Sequence, residues 1–144
     1  MEQELNILAY NNGNQITVGI YSVLTIILFF IALRVARFSQ GTHIAGKVIS
    51  SIFGVMTGFF ILDVQSYRHF WNDVTATYLA KARDNGIELS TFATSWVEQS
   101  GLSGNDLASR GLFNDIPLLA FVVIFLVIVL GTIWGPKISL GNDS

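Results

Sequence analysis

The chain has 144 residues, and only 12% of them are charged, against about a quarter in an average soluble protein. A net charge of −2 offers no basic field for nucleic acid to follow, and the length favours one domain. Cysteine is absent, which excludes disulfides, thiolate metal sites and cysteine nucleophiles.

Residues 1–15, MEQELNILAYNNGNQ, carry Glu2 and Glu4 and no base. A cleaved signal peptide has a positive start and a shorter apolar core, so this N-terminal tail is expected to be retained. The first apolar segment follows at once. Ile16 to Leu33 holds no charge, and transmembrane helix 1 is placed at 16–37. A turn at 38–43 leads to transmembrane helix 2 at 44–67, with Lys47 and Asp63 near its two ends. After a connection at 68–116, the stretch PLLAFVVIFLVIVLGTIW (Pro117 to Trp134) has no ionisable group and gives transmembrane helix 3 at 117–135. Residues 136–144 form a short tail. About 18–20 residues at 1.5 Å per residue cover the roughly 30 Å hydrocarbon core of a bilayer. Soluble helices are rarely apolar on every side, and barrel strands would alternate, which these segments do not.

Orientation follows from the bases near the span ends. The first turn, RVARFSQGTHIAGK, holds Arg34, Arg37 and Lys47 and no acid. The 68–116 connection spreads four bases (Arg68, Lys81, Arg83, Arg110) among six acids. The short basic turn is therefore expected in the cytoplasm, with the N-terminus and the long connection outside. The C-terminal tail, with Lys137, is expected inside. Tyr67, Phe70 and Trp71 would mark the outer interface and Trp134 the inner one.

In the second span, Gly46, Ser50, Gly54 and Gly58 recur every fourth position. On a helix such a repeat drifts about 40° per step and makes one groove of small residues, a glycine zipper. Small residues let helix backbones approach closely in lipid, where burial gives little drive to pairing. The groove is read as a helix-packing site for span one, span three or a neighbouring subunit. The ordinary alternative is that glycine is common in membrane helices. Gly131 and Gly135 in span three are a lone match, and Ala32 and Ala36 in span one are weaker still.

Asp63 lies near the outer boundary, close in sequence to Arg68 and His69. An intramembrane carboxylate is by default a functional candidate, so Asp63, Arg68 and His69 form a possible interfacial polar site. A carboxylate that pairs with Arg68 or reaches water is the favoured reading, since spans one and three offer only Ser22, Thr25 and Thr132 as deeper polar groups. His43 and His69 fall at opposite faces of the bilayer, so one protomer cannot give a bis-histidine haem. No metal or cofactor is expected.

Within 68–116, VTATYLAKAR (Val74 to Arg83) favours a helix that RDNG stops. A second helix is expected from Ser90 to about Gln99, capped by Ser90 or Thr91, with Leu89, Phe92, Ala93 and Trp96 on one side. Ser100 to Gly111 reads as loop, and Pro117 opens the third span. The expected fold class is thus all-α membrane protein, three transmembrane helices with a small extracytoplasmic helical hairpin between the second and third.

No phosphate loop, nucleophile elbow, zincin motif or dinucleotide fingerprint is present, and no internal repeat suggests a one-chain inverted-repeat transporter. The leading expectation is a non-catalytic structural or accessory subunit of a larger assembly in a bacterial inner membrane or a viral membrane. Its partners would be membrane lipid and other transmembrane helices, in a homo-oligomer or hetero-complex, and not nucleic acid. The alternatives are a pore-forming oligomer whose layout resembles that of some phage holins, and a quinone- or lipid-binding subunit of a membrane enzyme. A holin would more often have a basic cytoplasmic tail and a shorter external loop.

Overall fold

Apolar runs without a breaker become long helices, and two of the four helices here exceed what a bilayer needs. The computed structural model describes residues 2–136, and the described residues are 80% helical with no strand. In chain order the helices are α1 (Glu2–Ser39), α2 (Ile44–Asp84), α3 (Thr91–Ser100) and α4 (Ile116–Trp134). Three of them, α1, α2 and α4, are long and apolar enough to cross a membrane. Lys137 and the rest of the expected tail lie outside the described residues.

Two boundaries differ from the sequence expectation. The N-terminal tail is helical from Glu2, although Asn11, Asn12, Gly13 and Asn14 are poor helix formers. Tertiary contacts override that propensity: Ile7 and Leu8 pack on a buried cluster, and Gln15 bonds to Asn72 at 2.9 Å. The helix that carries the second apolar segment also continues past residue 67. Helix α2 runs unbroken through RHFWND to Asp84, because neither Gly nor Pro occurs between Gly58 and Gly86. It stops where Gly86 adopts a left-handed φ of 84°, as the Asn-Gly step requires.

Two packed units share the chain. Among the described residues, the first contains 2–21 and 64–112. Its core is Leu79, Ala80, Ala93 and Val97, with Leu89 and Trp96 against it. Helix α3 starts as expected: the Ser90 hydroxyl caps it by accepting from the Ala93 N–H at 3.2 Å. It ends on Gly101, again left-handed. Gly104 lies against the α2 backbone, where an added Cβ would sit 2.7 Å from the Lys81 Cα, so only glycine fits there.

Among the described residues, the second unit contains 22–63 and 113–136. Helix α4 supplies most of its core. Val122, Phe125, Val129 and Ile133, spaced three and four apart, are its buried face. Asp115 caps α4 by accepting from the Leu118 N–H at 3.0 Å, and Pro117 stands in the first turn, where its missing N–H costs nothing.

Candidate functional site

The four small residues of α2 are not equivalent. Gly54 and Gly58 face α4: a Cβ at Gly54 would meet Val129 Cγ1 at 2.6 Å, and one at Gly58 would meet Val122 Cγ1 at 3.2 Å. Ser50 is buried and returns its hydroxyl to the Gly46 carbonyl at 2.8 Å, one turn back. The nearest neighbour of Gly46 is Thr42, just before its own helix. The two glycines at the middle of the stripe therefore receive the valines of α4, within this same chain.

Helix α1 meets α4 in the same manner. Ala32 and Ala36 are buried to 1% and 0% exposure in one cluster with Phe125, Val129 and Ile133. Phe29 lies beside them, 4.9 Å from Phe125 and 5.8 Å from Phe121, ring centre to ring centre. Small side chains on α1 and α2 thus face large ones on α4, which brings the backbones close and fills the space between them. By spacing alone the alanine pair is the weaker signal. Gly131, half of the other Gly-x-x-x-Gly match, has nothing within 4 Å of an added Cβ, and Gly135 is the C-terminal cap of α4.

One end of this unit is tied by polar contacts. Gln40, just past α1, donates its side-chain amide to the Thr132 carbonyl at 2.6 Å. Trp134 donates its indole N–H to Ser51 Oγ at 3.0 Å, and Lys47 Nζ lies 5.6 Å from the Trp134 ring centre. The ends of α1 and α4 and the start of α2 are therefore joined at the end that carries Arg34, Arg37 and Lys47.

Asp63 is half-buried and is the last residue that α2 gives to this unit. Arg68 and His69 are exposed and belong to the other unit. Arg68 and His69 follow Asp63 by five and six positions on the same unbroken helix. His43 is exposed beside the N-terminus of α2.

The other unit has its own polar links, between residues that no local pattern pairs. Glu4 is 5% exposed, and its carboxylate accepts from both the Ser90 N–H at 2.9 Å and the Ser90 hydroxyl at 2.5 Å. These bonds, the hydroxyl's foremost, hold the Glu4 carboxyl below the usual glutamate value. Arg110 lies over the Tyr67 ring at 3.7 Å and donates to Ser66 Oγ at 3.2 Å. Tyr10 meets Trp71 edge-on at 5.8 Å. All of these contacts join segments distant in sequence. Among the described residues no three His, Asp or Glu side chains cluster as a metal site would require.

No family model, curated protein or solved structure matches this chain.

Proposed function

We propose that this chain is a small polytopic membrane protein that acts as a non-catalytic structural or accessory subunit of a larger membrane assembly through helix–helix packing. The observation that carries the reading is the outward surface of the second unit. Phe30 on α1, Ile49 on α2 and Val127 on α4 are 65%, 68% and 66% exposed, and Ile27, Met56 and Ile124 extend the same surface. Apolar side chains so exposed on every helix require lipid or other helices as their surroundings. Because Gly54 and Gly58 are filled by α4, contacts to partner subunits would use these outward faces and not the centre of the glycine stripe.

In the same reading the N-terminus and residues 68–116 lie outside, and the turn with Arg34, Arg37 and Lys47 lies in the cytoplasm with the C-terminus. The membrane would be a bacterial inner membrane or a viral one. The end of α2 and helix α3 would form the extracytoplasmic helical hairpin. The joining of Gln40 to Thr132 and of Lys47 to Trp134 supports a common cytoplasmic end for all three spans.

Purification in mild detergent tests the proposal. A copurified membrane protein or a defined homo-oligomer on native gels is the expected result. A lone monomer would overturn the reading, and release of dye from liposomes would replace it with the pore-forming oligomer.

A further inference from the structure

We propose that the basic end of the second unit binds the phosphate headgroup of an anionic phospholipid, in a groove between the end of α1 and the end of α4. The inference rests on the membrane-spanning reading above. The groove encloses about 400 Å³ and is lined by Arg37, Gln40, Val127, Ile128, Gly131 and Thr132. A second hollow of about 810 Å³ adjoins it through Arg37 and Gln40 and adds Arg34 and Phe38.

The lining has the two halves that a lipid presents. Val127 and Ile128 are apolar, more than half-exposed or close to it, and placed to lie along an acyl chain. Gly131 leaves the wall open, since nothing lies within 4 Å of its missing side chain. At the other end Arg37 is exposed and offers the planar donor fork that phosphate oxygens accept. Gln40 already spends one amide hydrogen on the Thr132 carbonyl, which fixes its side chain at the mouth with a second hydrogen to give.

Charge decides the occupant. The sequence has no acid between Glu4 and Asp63, or between Asp115 and Asp143. Among the described residues the second unit holds Arg34, Arg37 and Lys47 against Asp63 and Asp115 alone, and neither acid lines either hollow. Arg34 stacks 5.7 Å from the Phe38 ring centre. Two guanidinium groups at a membrane boundary, with apolar walls beneath them, attract an anionic headgroup whose chains enter the bilayer. The cytoplasmic leaflet, where the basic turn belongs, is the one rich in anionic lipid.

The test uses the full chain in nanodiscs of phosphatidylcholine with a minor fraction of phosphatidylglycerol, with native mass spectrometry of the lipids retained on gentle release. The expected result is selective retention of phosphatidylglycerol. Arg37→Gln should lower that selectivity about fivefold, the effect of one basic residue at an anionic surface. Gly131→Leu, which fills the wall and keeps every charge, should lower retention of the same lipid. Arg83→Gln, a charge loss in the other unit, should change neither. Inorganic phosphate should not displace the lipid; displacement would show that the site takes free phosphate and overturn the lipid assignment. Equal retention of both lipids by the unaltered chain, or unchanged selectivity in both Arg37→Gln and Gly131→Leu, would overturn the proposal. Failure of the chain to enter nanodiscs, with release from membranes by alkaline carbonate, would overturn the membrane reading and this proposal together.

Discussion

Gln40 gives its side-chain amide to the Thr132 carbonyl at 2.6 Å, at a position where the helix cannot supply a donor of its own. The N–H that would serve Thr132 belongs to residue 136, and residue 136 is proline. Gly135 has already turned to an extended ψ of 169°, as the residue before a proline does. The end of α4 is therefore completed by a side chain from the turn that follows α1. Gln40→Leu should lower the stability of the detergent-solubilised protein by about 0.5–1.5 kcal/mol, the range for hydrogen bonds between membrane helices. Thermal unfolding read by circular dichroism checks it. In a Pro136→Ala background, where α4 regains a donor, the same substitution should cost less.

A leucine at Gly54 must displace Val129, which would lie 2.6 Å from even the first carbon of the new side chain. Overpacking of this kind costs about 1–3 kcal/mol. Gly58→Leu should act in the same direction through Val122 and Leu126. Val55 is 47% exposed, so Val55→Leu should change stability by less than about 0.5 kcal/mol. Combining Gly54→Leu with Val129→Ala should recover part of the loss, and unfolding temperatures of the four proteins would show the coupling. If Gly54→Leu is as stable as the unaltered chain, the close approach of α2 to α4 is wrong.

Glu4 and Ser90 make the start of α3 sensitive to acid. The folded carboxyl holds its proton less tightly than the ordinary glutamate value of 4.5, because the charged form receives two hydrogen bonds from Ser90. The unfolded segment therefore binds more protons on acidification. The stabilisation is present above 4.5 and is lost as pH falls below it, through the folded value. Hydrogen exchange across Phe92 to Gln99, corrected for intrinsic rates, should show protection declining over that interval. Glu4→Gln should flatten the decline. Ser90→Ala removes the cap as well and should cost about 1 kcal/mol at neutral pH.

The three long apolar helices are legible in the sequence because length and apolar composition need no tertiary information. Ser90 as a cap and the stop at Asn85 and Gly86 are legible as well, since both are local chemistry. The continuation of α2 through Arg68 to Asp73 is local chemistry too, since the stretch has neither Gly nor Pro; only its polarity suggests an end. The helix through Asn11 to Asn14 was not legible, because its own residues oppose it and its support comes from Asn72 and the cluster around Leu79. Glu4 with Ser90 and Gln40 with Thr132 were equally hidden, each joining positions about ninety residues apart. Small residues signalled packing unevenly. Ala32 and Ala36 are the buried pair, while Gly131 is open, since spacing alone does not say which side of a helix meets a neighbour.

The central claim is that α2 carries the chain from one side of a lipid bilayer to the other. The described residues contain no cysteine, so single replacements report cleanly. Ser95 is exposed on α3, and Gly41 is exposed in the turn before α2 with open space around it. Ser39, the last residue of α1, is buried and a poor reporter. In intact cells an impermeant thiol reagent should label Ser95→Cys at once and Gly41→Cys only after permeabilisation. Labelling of both sites in intact cells would contradict the account.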